Sequence, residues 1–304
     1  MYKKIVYKIR NEVSLNTRQL PFLCTQDKLN YQAARKKHFE NLPSISDYEQ
    51  SLINKIKSEG VAMTSLEALS IPSTKLMFQA AKTLMPKIPS SLSQNKKEYV
   101  VHASPEQILE HKEIFLWGLE QRLINIIENY IGLPVAYHGA YYRRDTVNPV
   151  QLKSRLWHID PEDRKVLKVI IYLNDVDKEN GPFEYIPQSL TDKIVSSLRY
   201  NHGYVQDKTM EKVISPLNFK SCLGVAGTVI FASTGSIFHR GKIPIYSDRY
   251  TLFFDYTSRN PIVHNHYGAS FLCKEHIELL AKNLTPQQRE CLFWKEHFWQ
   301  PFSW

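Results

Sequence analysis

The chain has 304 residues, 43% of them hydrophobic and 12% aromatic, which is material for one large packed domain or two modest ones. Its formal net charge of +9 comes from short basic clusters (Lys3-Lys4, Arg35-Lys36-Lys37, Lys96-Lys97, Arg143-Arg144) with no zinc-finger or RNP-type signature. The scatter reads as the solvated surface of a basic protein, so nucleic acid is not expected as a partner, while an anionic small substrate stays open.

The four cysteines, Cys24, Cys222, Cys273 and Cys291, form no Cys-x-x-Cys pair and are expected as buried free thiols. Met1-Tyr2-Lys3-Lys4 is not followed by a signal-peptide pattern, and the longest apolar run, residues 166–173, is broken by Lys168. A soluble, cytoplasmic protein without a membrane span is therefore expected.

Residues 1–40 carry little pattern. Ser46-Asp47-Tyr48-Glu49 is a capping box, followed by an apolar stripe (Leu52, Ile53, Ile56) and a stop at Gly60. Residues 85–98, rich in Ser, Pro and Lys, read as a loop. A second capping box, Ser104-Pro105-Glu106-Gln107, opens what reads as one long helix stopping near Gly132, its apolar face broad enough to buttress a sheet. From 135 to 258 the texture becomes short β-type runs, at 137–143, 152–158, 166–173, 183–186, 227–231 and 250–256, with a tight turn at Asn180-Gly181-Pro182. Many short strands indicate a sandwich or barrel. A partly helical insertion at 188–218, with Tyr200 and His202, is either a substrate lid or a decorative surface loop. A third capping box, Thr285-Pro286-Gln287-Gln288, leads into an aromatic tail (Phe293, Trp294, Phe298, Trp299, Phe302, Trp304) expected to pack on the domain or on a partner subunit.

The chemistry-bearing stretch is Trp157-His158-Ile159-Asp160. The pattern His-x-Asp/Glu is weak alone, since His38-Phe39-Glu40, His111-Lys112-Glu113 and His276-Ile277-Glu278 also match it. On a strand, residues i and i+2 point to one face and can share an ion. On a helix they diverge by about 200°. The other three pairs lie in helical patterns, which singles out His158 and Asp160; the bland alternative is a surface histidine beside an aspartate before Pro161. Downstream, a short strand and a small-residue loop lead to His239. With it the set becomes two imidazoles and a carboxylate, the facial arrangement that holds Fe(II) and leaves positions open. Ten residues on, Arg249 and Thr251 share a strand face and suit the far carboxylate of a dicarboxylate, the guanidinium gripping it bidentately. An ordinary surface arginine and a hydrogen-bonded core histidine are the alternatives. Lys168 and Tyr172 share a strand face; Lys168 either assists a carboxylate or, as the favoured reading, pairs with Asp163.

His158-x-Asp160, His239 and Arg249, with Trp157 before the first ligand, resemble the phytanoyl-CoA dioxygenase-like branch of the Fe(II)/2-oxoglutarate oxygenases. The resemblance extends through Leu167-Lys168-Val169-Ile170-Ile171-Tyr172-Leu173-Asn174-Asp175-Val176 and Asn180-Gly181-Pro182-Phe183-Glu184-Tyr185-Ile186-Pro187. It implies an α+β chain: a double-stranded β-helix (cupin-like jelly roll) core flanked by N- and C-terminal helices, as a single oxygenase domain over 1–304. Within it, 1–134 is helical support, 135–258 the catalytic core and 259–304 a helical tail. It also implies a metal held by His158, Asp160 and His239, 2-oxoglutarate held by Arg249 and Thr251, and O2 as oxidant; Lys168, by its strand face, is counted with the cofactor-binding residues. The implied outcome is hydroxylation of a small or lipid-like molecule with release of succinate and CO2, by a monomer or homodimer. The pattern departs from the family at Gln188-Ser189-Leu190, where Gly-Ser-His is common, and at Gly241, where a serine is common. Asp160 opposes a halogenase, in which a small residue replaces the carboxylate. Asp255, six residues after Arg249, opposes a nucleic-acid demethylase, which carries a second arginine there. Arg249 itself opposes the prolyl-hydroxylase-like and histone-demethylase-like enzymes, which tend to use lysine. The competing classes are a non-catalytic jelly roll that binds a metal or ligand, and a cupin-type metalloenzyme that does not use 2-oxoglutarate.

Overall fold

The computed structural model describes residues 21–90, 99–263 and 272–295. Among the described residues, nine strands form two antiparallel sheets. The larger holds β1 (Val61–Ser65), β2 (Val100–His102), β3 (Val135–Asp145), β4 (Leu167–Tyr172), β7 (Thr228–Ala232) and β9 (Arg249–Ser258), in the order β1-β7-β4-β9-β3-β2. The smaller pairs β6 (Lys220–Cys222), β5 (Phe183–Tyr185) and β8 (His239–Gly241) in that order.

Alternation along the large sheet explains its two faces. Leu167, Val169 and Ile171 of β4, with Leu252, Phe254 and Tyr256 of β9, pack outward against helices. Those helices are α2 (Asp47–Glu59), which supplies Leu52, Ile53 and Ile56; α4 (Thr74–Leu84), which supplies Met77, Ala81 and Leu84; and α7 (Gln121–Ile131). The opposite face turns Ile170, Tyr172, Ile230 and Phe253 toward Phe183 and Cys222 of the small sheet, and this second core fills the space between the sheets. The remaining helices are α1 (Pro21–His38), α3 (Leu66–Leu69), α5 (Pro105–Glu110), α6 (Lys112–Trp117), α8 (Thr191–Leu198), α9 (Asp207–Met210), α10 (Lys274–Leu280) and α11 (Pro286–Leu292).

Local signals hold well. Ser46, Ser104 and Thr285 each form the expected capping box, and Gly60 and Gly132 close their helices in the left-handed conformation. Long-range contacts overturn other expectations. The single helix expected from Ser104 to Gly132 is three, α5, α6 and α7. It breaks at His111 (φ −114°, ψ 52°) and at Gly118-Leu119-Glu120. Tyr137 of β3 donates to the Phe115 carbonyl and Tyr256 of β9 to that of Gly118, so the sheet takes carbonyls that a continuous helix would use.

Residues 152–158 are not a strand but a 3-10 turn (Lys153–Arg155) followed by isolated bridges at Trp157 and His158. The cause is Arg155, whose buried guanidinium gathers the carbonyls of Thr146, Asn148, Val150 and Tyr99 around itself. Strand β1 directly follows Gly60 and extends the large sheet, an element the sequence pattern did not reveal. Cys222 and Cys291 are buried free thiols as expected, but Cys273 is exposed. Phe293 and Trp294 follow α11, with the Trp294 ring 5.2 Å from that of His138; the rest of the aromatic tail, the side chain of Cys24 and residues 1–20 lie outside the described residues. Among the described residues no helix is long and apolar enough to cross a membrane.

Candidate metal centre and its cavity

His158 and His239 form an antiparallel bridge, each donating its backbone N–H to the other's carbonyl (3.1 and 3.0 Å). Directly opposed residues present side chains to the same face, and the two ring centroids are 4.2 Å apart. Two residues on, Asp160 donates its N–H to the Thr234 carbonyl (3.0 Å) and turns its carboxylate onto that same face. Bridge pairing thus does what the expected regular strand was to do.

The histidine Nε2 atoms lie 3.6 Å (His158) and 3.7 Å (His239) from the two Asp160 oxygens, and one potential ligand atom from each residue falls within 4.8 Å of the others. These are not ion pairs. Burial pushes the His158 imidazole down against the pull of Asp160, and burial with His158 alongside pushes His239 down to about 3, so both rings are neutral at physiological pH. Each Nδ1 faces the carbonyl two residues back, Leu156 (2.8 Å) and Ile237 (3.3 Å), and must carry the proton to donate there. That leaves two Nε2 lone pairs and a carboxylate aimed at one point, which repel one another unless a cation sits between them. The donor set fits a divalent first-row transition metal. Of the other three histidine–carboxylate pairs, none forms such a group: His38 hydrogen bonds Glu128 (2.7 Å), His111 marks the break between α5 and α6, and His276 lies on α10.

Lys168 does not pair with Asp163, whose carboxylate accepts from the N–H and Oγ of Ser258. Its ammonium lies 2.7 Å from Asp160 Oδ2 and 3.8 Å from Asp255 Oδ2, because register pairs Lys168 with Asp255 on the inner face. Burial opposes ionisation of Asp160, but Lys168, His239 and His158 outweigh it and hold the carboxyl well below the usual range. Lys168 is held up by Asp160 and Asp255 against its own burial. Two acids not assigned to the site from sequence stand close by. Burial lifts Asp255 to about 6 against Lys168, with Asp160 adding to the rise, and lifts Glu162 to about 8 with the help of Asp160.

A cavity runs from His158, His239 and Lys168 past Ile170, Phe183 and Phe253 to Tyr172, Thr251 and Arg249. Arg249 is 2% exposed and is not the free fork expected: Nη2 binds Asp145 (2.9 Å) and Nη1 donates to the Gly181 carbonyl. Gly181 adopts φ +69°, and a Cβ there would lie 2.6 Å from backbone atoms of Lys242 and Pro244, so the turn that offers this carbonyl requires glycine. A Cβ at Gly241 would lie 2.9 Å from Arg249 Nη2, so the missing side chain leaves the guanidinium its place. Thr251 Oγ1 is fully buried and has no hydrogen-bond partner among the described residues. A buried hydroxyl in a cavity wall calls for a ligand or water.

The insertion is not a decorative surface loop. Val205 and Trp157 exchange backbone hydrogen bonds (3.0 and 2.7 Å), and Tyr200 Oη accepts from the Ile159 N–H (3.1 Å). Ile194 of α8 and Met210 of α9 pack with Trp157, Ile186 and Phe238 in a third core. The clamp places the half-exposed Tyr204 ring 5.1 Å from His158, a contact that no sequence pattern announces.

No protein-family model matches the sequence, and no curated protein does. Among solved structures, the non-haem α-ketoglutarate-dependent carbocyclase SnoK of nogalamycin biosynthesis aligns at 14% identity over 80% of this chain and 92% of its own, with a TM-score of 0.49. EctD from S. alaskensis, in its apo form, aligns at 18% identity over 76% and 84%, TM-score 0.49. HygX from Streptomyces hygroscopicus, with nickel and 2-oxoglutarate bound, aligns at 11% over 71% and 88%, TM-score 0.48. Likeness this distant assigns no reaction, and the chemistry of this chain has to rest on its own side chains.

Proposed function

We propose that this chain is an Fe(II)- and 2-oxoglutarate-dependent oxygenase built on a double-stranded β-helix (jelly-roll) core as a single domain, acting on a small molecule. The observation that carries the reading is the convergence of two neutral imidazoles and an ionised carboxylate on one point, at one end of a cavity whose other end holds a buried arginine and an unpartnered threonine hydroxyl. His158, Asp160 and His239 would hold the metal, and Arg249 with Thr251 the far carboxylate of the cosubstrate. Iron and 2-oxoglutarate together supply activation of O2 and oxidation of a C–H bond, with succinate and CO2 as co-products.

The chain's own residues have four tasks. The Leu156 and Ile237 carbonyls hold the protons of both imidazoles on Nδ1, keeping Nε2 a donor to metal. Lys168 keeps Asp160 ionised. Phe183, stacked 5.6 Å from His239, and Phe253 line the cavity with apolar surface that excludes water from the cosubstrate. Asp160 would take the metal position that a halide would need, so hydroxylation is the expected outcome.

The test is anaerobic titration of purified protein with Fe(II) and 2-oxoglutarate, followed by succinate release in air. Fe(II)-dependent 2-oxoglutarate binding and slow succinate formation are expected, the latter lost in Asp160→Ala. Wild-type protein that binds no 2-oxoglutarate in the presence of Fe(II) would overturn the reading.

A further inference from the structure

The far end of the cavity is more positive than one cosubstrate arginine explains. Arg143, Arg155 and Arg249 are 9%, 1% and 2% exposed. Among the described residues, the one carboxylate paired with any of them is Asp145, itself fully buried. Asp145 takes Arg143 bidentately (Nε to Oδ2 2.8 Å, Nη2 to Oδ1 2.6 Å) and Arg249 Nη2 on Oδ2 at 2.9 Å. Arg155 gives Nη1 and Nη2 to oxygens of neutral groups, the carbonyls of Thr146, Asn148, Val150 and Tyr99 and the Asn148 side-chain oxygen. Burial, with Arg143 and Arg249 adding to it against Asp145, brings Arg155 down to about 10, which still leaves it charged at neutral pH. Three buried guanidinium groups thus face one carboxylate, and an excess of buried positive charge is costly unless an anion completes it.

Geometry says where the anion goes. Arg143 and Thr251 are register partners on β3 and β9, so the guanidinium stem stands beside the unpartnered hydroxyl. The Arg143 guanidinium lies 5.6 Å over the Phe253 ring, and Nη2 also donates to Ser154 Oγ (3.1 Å). These bonds employ Nε and Nη2, leaving Nη1 as the donor for a ligand. Arg143 lines the same cavity as His158, Thr251 and Arg249.

We infer that Arg143 is a second receptor for the dicarboxylate, sharing its distal carboxylate with Arg249 and Thr251, and that Asp145 is the post holding both guanidinium groups in place. The inference rests on the proposed function, and the ligand class it names is a 2-oxo acid with a second, remote carboxylate.

The test compares 2-oxoglutarate with 2-oxobutyrate, which lacks the remote carboxylate, by calorimetry on Ni(II)-loaded wild type, Arg143→Met and Arg143→Lys. In Arg143→Met, 2-oxoglutarate is expected to bind about tenfold or more weakly, the scale of one lost charge-assisted hydrogen bond, with Ni(II) and 2-oxobutyrate affinities unchanged. Arg143→Lys, which keeps the charge and loses the fork, should show a smaller loss in the same direction. Unchanged 2-oxoglutarate affinity in either variant overturns the inference, as does an equal loss for both oxo acids, which would mean a collapsed cavity. Wild type that binds Ni(II) but neither oxo acid overturns the proposed function and this inference with it.

Discussion

Replacing Lys168 by methionine separates the charge balance of the metal centre from its geometry. The substitution keeps most of the stem's volume and removes a cation lying 2.7 Å from Asp160 and 3.8 Å from Asp255. Removing one partner of a buried ion pair costs about 3–5 kcal/mol. Asp255 can relieve its part by taking a proton, since burial already lifts it to about 6. Asp160 keeps only two neutral imidazoles beside it and must stay charged against its burial or take a proton, so metal-free protein should lose Tm on the order of 10 °C, at a few degrees per kcal/mol. A bound divalent ion supplies the missing positive charge, so the loss should shrink in saturating Ni(II). Removing an ammonium from the neighbourhood of a dication also relieves a repulsion of several kcal/mol at an effective dielectric of about 20, much of it returned by rearrangement. Ni(II) should therefore bind Lys168→Met about tenfold or more tightly than wild type. Thermal unfolding with chelator and with excess Ni(II), paired with calorimetric titration, reads both effects. An equal Tm loss in the two states, or weaker Ni(II) binding by the variant, would refute the reasoning and make Lys168 a support for the geometry of Asp160.

Asp145→Ala leaves Arg143 and Arg249 buried without their shared carboxylate and is expected to cost about 3–5 kcal/mol in urea unfolding. The same linkage has a pH signature. Burial opposes ionisation of Asp145, but Arg143 and Arg249 hold its carboxyl well below the usual range. Its contribution is therefore fully present above about pH 4, where unfolded aspartate titrates, and is lost as pH falls toward the depressed folded value; the variant's acid-unfolding curve should lack that component. The histidines work at higher pH. Because His158 and His239 are pushed down in the fold, the unfolded chain binds protons better below about pH 6.5, so metal-free stability should fall as pH drops through 6.5. The double variant His158→Gln/His239→Gln should flatten that slope, and a slope equal to wild type's would count against burial of neutral rings.

Legibility in the sequence followed the range of the interactions. The capping boxes at Ser46, Ser104 and Thr285 and the stops at Gly60 and Gly132 are local, and each appears as read. The metal-ligand group was visible because two of its members are two residues apart, although the backbone that aligns them is a bridge to His239 and not a regular strand. What the sequence hid depends on partners far along the chain. The break at Gly118 comes from Tyr137 and Tyr256, and the partner of Lys168 comes from the register of β4 on β9. Arg143-Arg144 looked like surface charge. Strand alternation sends Arg143 to the buried Asp145 and Arg144 to Asp248 on the other side, and the Arg143-x-Asp145 spacing was the signal available for the first pair.

The clamp formed by Trp157–Val205 and Tyr200–Ile159 ties the insertion to the backbone that carries His158 and Asp160. In such an arrangement the insertion and the metal's own geometry cannot drift independently. A loop change near Tyr204 also loosens the bridged segment that carries His158 and Asp160. Under the proposed function, a change in the insertion near Tyr204 is expected to alter metal affinity together with the molecules admitted, because both depend on the one backbone clamp.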